Sequence, residues 1–299
     1  MAEVTAQLVK QLRERTGAGM MECKKALDST SGDLEKAIDE LRKRGAASAD
    51  KKASRSALQG SVGTLIAGDT AVIVEINCES DFVARTDDFQ TLVANVAAQV
   101  AESNPADVAA LSALPYAGDS SVTVLEAVKQ KIAKLGENMV IARFARLTSA
   151  GSTAFGSYIH AGSQLGVLLE VQAATAAGAA HPEVQELVKD LAMQVAAADP
   201  KFVRREEVGA DVLDRERAIA RDRAKNENKP EKIWDRIIDG RIEKFYEEVC
   251  LLEQPFIKEN SVSITELVKQ KSAKVGEALT VVRFVRFKVG ETAVAGAAE

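Results

Sequence analysis

Residues 72–105 of this 299-residue chain recur, without a gap, as residues 167–200. Val72-Ile73-Val74-Glu75-Ile76 pairs with Val167-Leu168-Leu169-Glu170-Val171, and Gln90-Thr91-Leu92-Val93 pairs with Gln185-Glu186-Leu187-Val188. Farther on, Lys129-Gln130-Lys131-Ile132-Ala133-Lys134-Leu135-Gly136-Glu137 matches Lys269-Gln270-Lys271-Ser272-Ala273-Lys274-Val275-Gly276-Glu277. Arg143-Phe144-Ala145-Arg146 then matches Arg283-Phe284-Val285-Arg286. A fold made from this chain must contain one unit twice. Each copy reads strand, turn, strand, helix, then helix and a closing strand, with turns near Ala67-Gly68-Asp69 and Ala161-Gly162-Ser163. That order predicts an α+β class with antiparallel sheets covered by helices. Two copies are too few for a solenoid, so paired subdomains are expected over 61–148 and over 149–200 with 254–290.

The first matches are offset by 95 positions and the later ones by 140, so the second copy carries a net insertion of 45 residues, within 201–253. Asp211 to Asn226 and Glu231 to Val249 both read as helix, separated by Asn228-Lys229-Pro230. Trp234, Ile238, Ile242, Phe245 and Val249 recur at coiled-coil-like spacings. An antiparallel helical hairpin is expected, its apolar seam completed by Val212, Leu213, Ile219 and Ala220. A solvated ridge of Arg215, Arg217, Arg221 and Arg223 is expected beside it.

Ahead of the duplication, residues 1–45 read as three short helices. Leu8, Val9 and Leu12 line the first, Thr16-Gly17-Ala18-Gly19 breaks it, and Met20 to Asp28 forms the second. The third follows Ser31-Gly32-Asp33 and places Leu34, Ala37, Ile38 and Leu41 on one face. Such a unit resembles a ubiquitin-associated-type bundle, a docking module more often than a catalytic one. Residues 46–60, rich in Ala, Ser and Lys, read as a partly helical linker.

Several function classes drop out. Net charge is −5, which argues against a general nucleic-acid-binding role. Cys23, Cys78 and Cys250 are widely spaced and form no CxxC, which fits a reducing compartment and neither a zinc site nor a disulfide framework. The N-terminus lacks the pattern of a secretory signal, and no apolar run has transmembrane length. A soluble cytoplasmic protein is expected. No GxxxxGK[ST] loop occurs, so nucleotide hydrolysis by this chain is not expected. The histidines, His160 and His181, form no HxxxH. His181 reads as a surface-loop residue, while His160 stays open between structure and partner contact. Glu75 and Glu79 are available as an acid–base pair, but structural or solvated carboxylates are the simpler reading. No cofactor is expected.

The two copies diverge directly after the repeated strand. The first continues Asn77-Cys78-Glu79-Ser80-Asp81-Phe82-Val83-Ala84-Arg85; the second continues Gln172-Ala173-Ala174-Thr175-Ala176-Ala177. A residue needed only for folding belongs in both copies, so Asp81 and Phe82 mark a functional site. An exposed phenyl ring gains nothing for its own fold unless it enters a partner. The alternative places Phe82 beneath its own helix, although Val83 and Phe89 suit that core role better, with Asp81 capping the turn.

Leu12-Arg13-Glu14-Arg15-Thr16-Gly17-Ala18-Gly19-Met20-Met21-Glu22-Cys23-Lys24-Lys25-Ala26-Leu27 and Glu75-Ile76-Asn77-Cys78-Glu79-Ser80-Asp81-Phe82-Val83-Ala84-Arg85 resemble the two signatures of the translation elongation factor Ts family. Ser80 stands where that family usually has threonine. The resemblance implies a guanine-nucleotide exchange factor for elongation factor Tu. In such a factor Ser80, Asp81, Phe82 and Val83 form the exchange site, and Asp81-Phe82 disturbs the partner's magnesium and phosphate site. Arg13, Gly19, Met20, Met21, Tyr158 and His160 would make further partner contacts. No metal of its own, no nucleic acid and no membrane are implied, and a homodimer or 2:2 complex is compatible with the role. Relatives often continue into a C-terminal helical module, whereas here a tail over 291–299 is expected, so that contact would be missing. A non-catalytic adaptor, with bundle and core holding separate partners, is the competing class.

Overall fold

The computed structural model describes residues 4–149, 151–227 and 230–292. Its first three helices are α1 (Ala6–Thr16), α2 (Met20–Ser29) and α3 (Leu34–Lys52). Thr5 caps α1 through its hydroxyl, Gly17 ends it at φ +66°, and Asp33 caps α3. Leu8, Val9, Leu12, Leu34, Ala37, Ile38 and Leu41 meet Cys23, Ala26 and Leu27 in one small core. The segment expected as a linker from residue 46 is helical as far as Lys52. Its alanines are strong helix formers, and no glycine or proline interrupts 46–52. Ala49 is buried in the core of the first lobe, and Lys129 bonds Asp50 at 2.8 Å, so this stretch docks the bundle instead of tethering it.

The first lobe follows with β1 (Gln59–Ala67), β2 (Thr70–Cys78), α4 (Asp81–Ala84), α5 (Asp87–Ser103), α6 (Val108–Ala113), β3 (Pro115–Tyr116), β4 (Asp119–Thr123), α7 (Val124–Leu135) and β5 (Met139–Thr148). The second has β6 (Thr153–Ile159), β7 (Leu165–Gln172), α8 (Ala176–Ala179) and α9 (Pro182–Ala198). It resumes after the insertion with β8 (Pro255–Phe256), β9 (Glu259–Ser263), α12 (Ile264–Val275) and β10 (Thr280–Lys288). The insertion holds α10 (Ala210–Asn226) and α11 (Trp234–Val249). The large sheets run β1-β2-β5 and β10-β7-β6, all antiparallel, which makes the molecule α+β.

β2 and β7 are the central strands, and their apolar runs are continuous because both faces are covered. Val72, Val74 and Ile76 face α5 and α7, and Val167, Leu169 and Val171 face α9 and α12. The alternate residues Ala71, Ile73 and Leu168 meet Val62, Leu147, Phe155 and Phe287 where the two sheets pack on each other. The lobes thus share a sheet-on-sheet joint that the expectation of helix-covered sheets did not contain. Polar bonds fasten it. Val62 N–H donates to the Ser163 carbonyl at 2.6 Å, and Gln164 bonds Gln59 at 2.8 Å. Glu75, fully buried, accepts from Arg143 Nε at 2.7 Å and from the Gly290 amide at 2.9 Å. Arg143 also reaches the Lys288 carbonyl and lies 4.1 Å from the centroid of the Phe287 ring.

The insertion leaves and rejoins the second lobe at one neck, where Phe202 bridges Cys250. Leu213, Ala220, Trp234, Ile238, Ile242 and Tyr246 form its seam. Three expectations need correcting: Tyr246 takes the place expected for Phe245, Ile219 is 52% exposed, and Val212 and Val249 do not join the seam. Steps of four from Trp234 keep to one helical face, and Ala220 already fills the contact beside Ile219. The four arginines of the ridge face solvent. Asn228 and Lys229, and the tail from residue 293 onward, lie outside the described residues.

Candidate functional site

β2 ends at Cys78, and the chain needs a sharp turn before α5 can return across the sheet. Ser80 makes it. With extended backbone, its hydroxyl accepts the Val83 amide at 3.3 Å and so caps the single turn α4. Ser80 also donates both of its protons to one carboxylate: its amide to Glu137 Oε2 at 2.9 Å and its hydroxyl to Glu137 Oε1 at 2.6 Å. Glu137 is delivered by Gly136, which closes α7 at φ +84°. At the other end Thr86 caps α5, and Gln90 donates to the Ala84 carbonyl at 2.6 Å and to Ser61 at 2.9 Å. Cys78 lies beneath the turn, where burial, and then the charge of Glu137, push its thiol up to about 12.

Held at both ends, the turn projects Phe82 into solvent. Its side chain is 82% exposed, the most of the large apolar side chains described. Val83 packs against the first lobe's core and Phe89 is fully buried, so these two take the core role expected of them. Asp81 does not cap the turn. It stands at the first position inside the helix, after Ser80 has taken the capping place, and pairs with Arg85 at 2.8 Å instead.

The second lobe builds the same turn. Thr175 caps Gly178 at 3.0 Å and donates its amide and hydroxyl to Glu277 at 3.0 and 2.6 Å, and Gln185 donates to the Ala179 carbonyl at 2.9 Å. Ser80 therefore has a structural counterpart, whereas Asp81 and Phe82 face Ala176 and Ala177. A Cβ on Gly178 would lie 2.1 Å from Glu277 Oε2, so this copy closes more tightly than the one bearing Val83. His181, expected as a loop residue, caps α9 by accepting the Glu183 amide at 3.2 Å.

Gly60, Asp81, Ala84 and Arg85 line a cleft of about 170 Å³ whose far wall is Ala161, Gly162 and Gln164. The tertiary structure thus sets the Phe82 turn beside the end of the β6–β7 hairpin, which carries Tyr158 and His160. Those two side chains are bonded at 3.1 Å through the Tyr158 hydroxyl and His160 Nδ1. Arg13, Met20 and Met21 come together elsewhere, lining an open groove of about 330 Å³ on the N-terminal bundle with Val9, Lys10 and Lys24. Both methionines are more than half exposed. Gly19 lies behind this groove as the N-cap of α2 and does not line it. Sequence reasoning missed Glu137, although its recurrence as Glu277 was a usable signal. Among the described residues, no group of three or more His, Cys, Asp or Glu side chains is placed to hold a metal ion.

A family model described as Elongation factor TS matches residues 79–291, which takes in the first lobe after β2, the second lobe and the insertion. Elongation factor Ts of Nostoc sp. is 48% identical over 295 residues, covering 97% of this chain and 94% of that one. The chain belongs to the elongation factor Ts family. Elongation factor Ts of Trichlorobacter lovleyi is 44% identical and that of Clostridium novyi 46%, each across 96% of this chain and 93% of the relative. The elongation factor Ts model opens at Glu79, at the start of the turn that presents Phe82, and the relatives extend the likeness across the N-terminal bundle. Among the described residues, no helix is long and apolar enough to cross a membrane.

Proposed function

We propose that this chain is a guanine-nucleotide exchange factor that binds elongation factor Tu carrying GDP and releases the GDP so that GTP can replace it during translation elongation. The observation that carries this reading is the 82% exposed Phe82 on a turn bonded at both ends. Its ring enters the GTPase while Asp81 stands beside it, and together they disturb the partner's magnesium and phosphate site. No covalent step is involved.

Magnitudes show that Phe82 does not act alone. Loosening a nucleotide by three to four decades requires about 4–5.5 kcal/mol of differential binding between partner states. Burying one phenylalanine supplies about 1.5–3 kcal/mol. A wide interface fitted to the nucleotide-free GTPase must contribute the remainder. The ubiquitin-associated-like bundle docks through Arg13, Met20 and Met21, with Gly19 setting the start of α2. Tyr158 and His160 add a contact from the second lobe, and α10 with α11 forms an antiparallel hairpin outside this contact. By linkage, GDP and magnesium must weaken binding of this chain to the GTPase by the same factor. We place the activity in the cytoplasm, with no direct nucleic-acid or membrane partner, and a homodimer or a 2:2 complex is compatible with it.

The test is release of fluorescent GDP from purified elongation factor Tu in a stopped-flow instrument. Acceleration by this chain is expected. Unchanged release at saturating concentration would refute the exchange function.

A further inference from the structure

We propose that Glu137 is a positioning residue for the Phe82 ring, an inference that rests on the exchange reading above. α4 spans four residues, far below the length at which a helix holds itself in water. The Asp81–Arg85 pair on its surface is solvated and contributes little rigidity. The start of the turn is instead held by Glu137, 57 positions away in sequence, which receives both Ser80 protons. Bonds to an ionised carboxylate are roughly twice as strong as neutral ones, and two from one residue fix direction as well as distance. Gln90 holds the other end through the Ala84 carbonyl. A turn already fixed before docking loses little freedom on binding, whereas a loose one must be ordered at the interface.

The duplication supplies an internal control. Glu277 makes the same two bonds to Thr175, but the turn it holds carries Ala176 and Ala177. A purely structural carboxylate matters equally in both lobes. A positioning carboxylate matters for exchange in the first lobe alone. Glutamine discriminates at this site by removing the charge: its oxygen can accept the Ser80 N–H, but its amide nitrogen can only donate to the Ser80 hydroxyl, so one bond reverses and both become weaker neutral bonds.

The experiment uses the full chain with purified elongation factor Tu. Glu137→Gln is expected to slow GDP release at saturating factor by at least about fivefold, the lower end of coupling between linked sites. Glu277→Gln is expected to leave release unchanged. Combining Glu137→Gln with Phe82→Ala is expected to add no loss beyond Phe82→Ala, because the first acts through the second. In the free protein, Glu137→Gln should raise amide hydrogen exchange at Val83 to Arg85 while the core amides stay protected. A wild-type rate for Glu137→Gln, or an undiminished further loss in the Phe82→Ala background, overturns the proposal. Should Glu137→Gln fail to fold, Glu137→Asp, whose carboxylate is withdrawn from Ser80 by one methylene while the Ser80 cap on Val83 is kept, takes its place with the same outcomes. If the wild-type chain itself fails to accelerate release, the exchange reading falls. Hydrogen exchange then decides Glu137 separately, and unchanged protection at Val83 to Arg85 rejects it.

Discussion

In the first lobe a serine caps a one-turn helix and gives two protons to Glu137; in the second a threonine does the same with Glu277. Gln90 and Gln185 close the two turns from the following helix. One step outward, Lys131 and Lys134 converge on Asp88 as Lys271 and Lys274 converge on Glu183. The agreement stops at the surface, where Asp81-Phe82 is matched by Ala176-Ala177. Interactions present twice belong to the scaffold, and a side chain present once, pointing away from it, is free for a partner. The joint between lobes breaks the symmetry in a second way. Glu75–Arg143 extends to Gly290 and Lys288 of the other lobe, whereas its equivalent, Glu170–Arg283, has a half-exposed arginine.

That second asymmetry predicts the largest effect. Arg143→Met strands the fully buried Glu75 carboxylate and should cost about 3–5 kcal/mol in urea unfolding. Arg283→Met should cost clearly less, because water can reach the place its guanidinium vacates. Equal losses would mean that the joint contributes nothing specific. Next comes the exposed ring. Phe82→Ala should slow GDP release by about 10- to 150-fold, the equivalent of burying one phenyl group, with the thermal midpoint unmoved. The reciprocal Ala177→Phe should give no gain in release, since the second lobe's turn faces a different surface. A gain would show that the ring's lobe is immaterial. Smaller again, joint replacement of Met20 and Met21 by serine should weaken binding to the GTPase by about tenfold in titration calorimetry, with the maximal release rate preserved.

The smallest effect concerns acid. Bonds first from Lys131 and then Lys134 hold the Asp88 carboxyl below its ordinary range, and Lys271 does the same for Glu183. Both folded values are lowered, so these bridges stabilise fully above the unfolded carboxylate value of about 4 and are lost as pH falls through the lowered folded value. Asp88→Asn and Glu183→Gln should each flatten the fall of the thermal midpoint below about pH 4, by similar and small amounts because both bridges border water. A flattening in one lobe alone would break the scaffold equivalence.

Much of this was legible beforehand. Thr5, Asp33 and Gly17 mark helix ends through bonds that span three or four residues, and the i, i+3, i+4 spacing of Leu34, Ala37, Ile38 and Leu41 finds the bundle core. The lone Phe82 was legible because the repeat exposes it. Three features were not. The continuous run Ala71–Ile76 announces burial on both faces but not that the second cover is another sheet. The alanines of 46–52 carry helix propensity but no sign of the docking that makes the segment part of the first lobe. Tyr246, rather than Phe245, joins the hairpin seam through a difference of one position that pattern spacing does not resolve.

The order of amino acids by itself determined the duplicated α+β plan, the helix limits near their caps, and the one place where the copies differ, because each depends on neighbours within a turn or on comparison of like with like. Tertiary structure alone decided that Glu137, among many glutamates, meets Ser80, that Arg143 reaches the far lobe, and that the hairpin bearing Tyr158 and His160 borders the Phe82 turn. Such pairings span tens of residues, so they are set by where whole helices and sheets come to rest when their apolar faces are buried, and no local rule records that position.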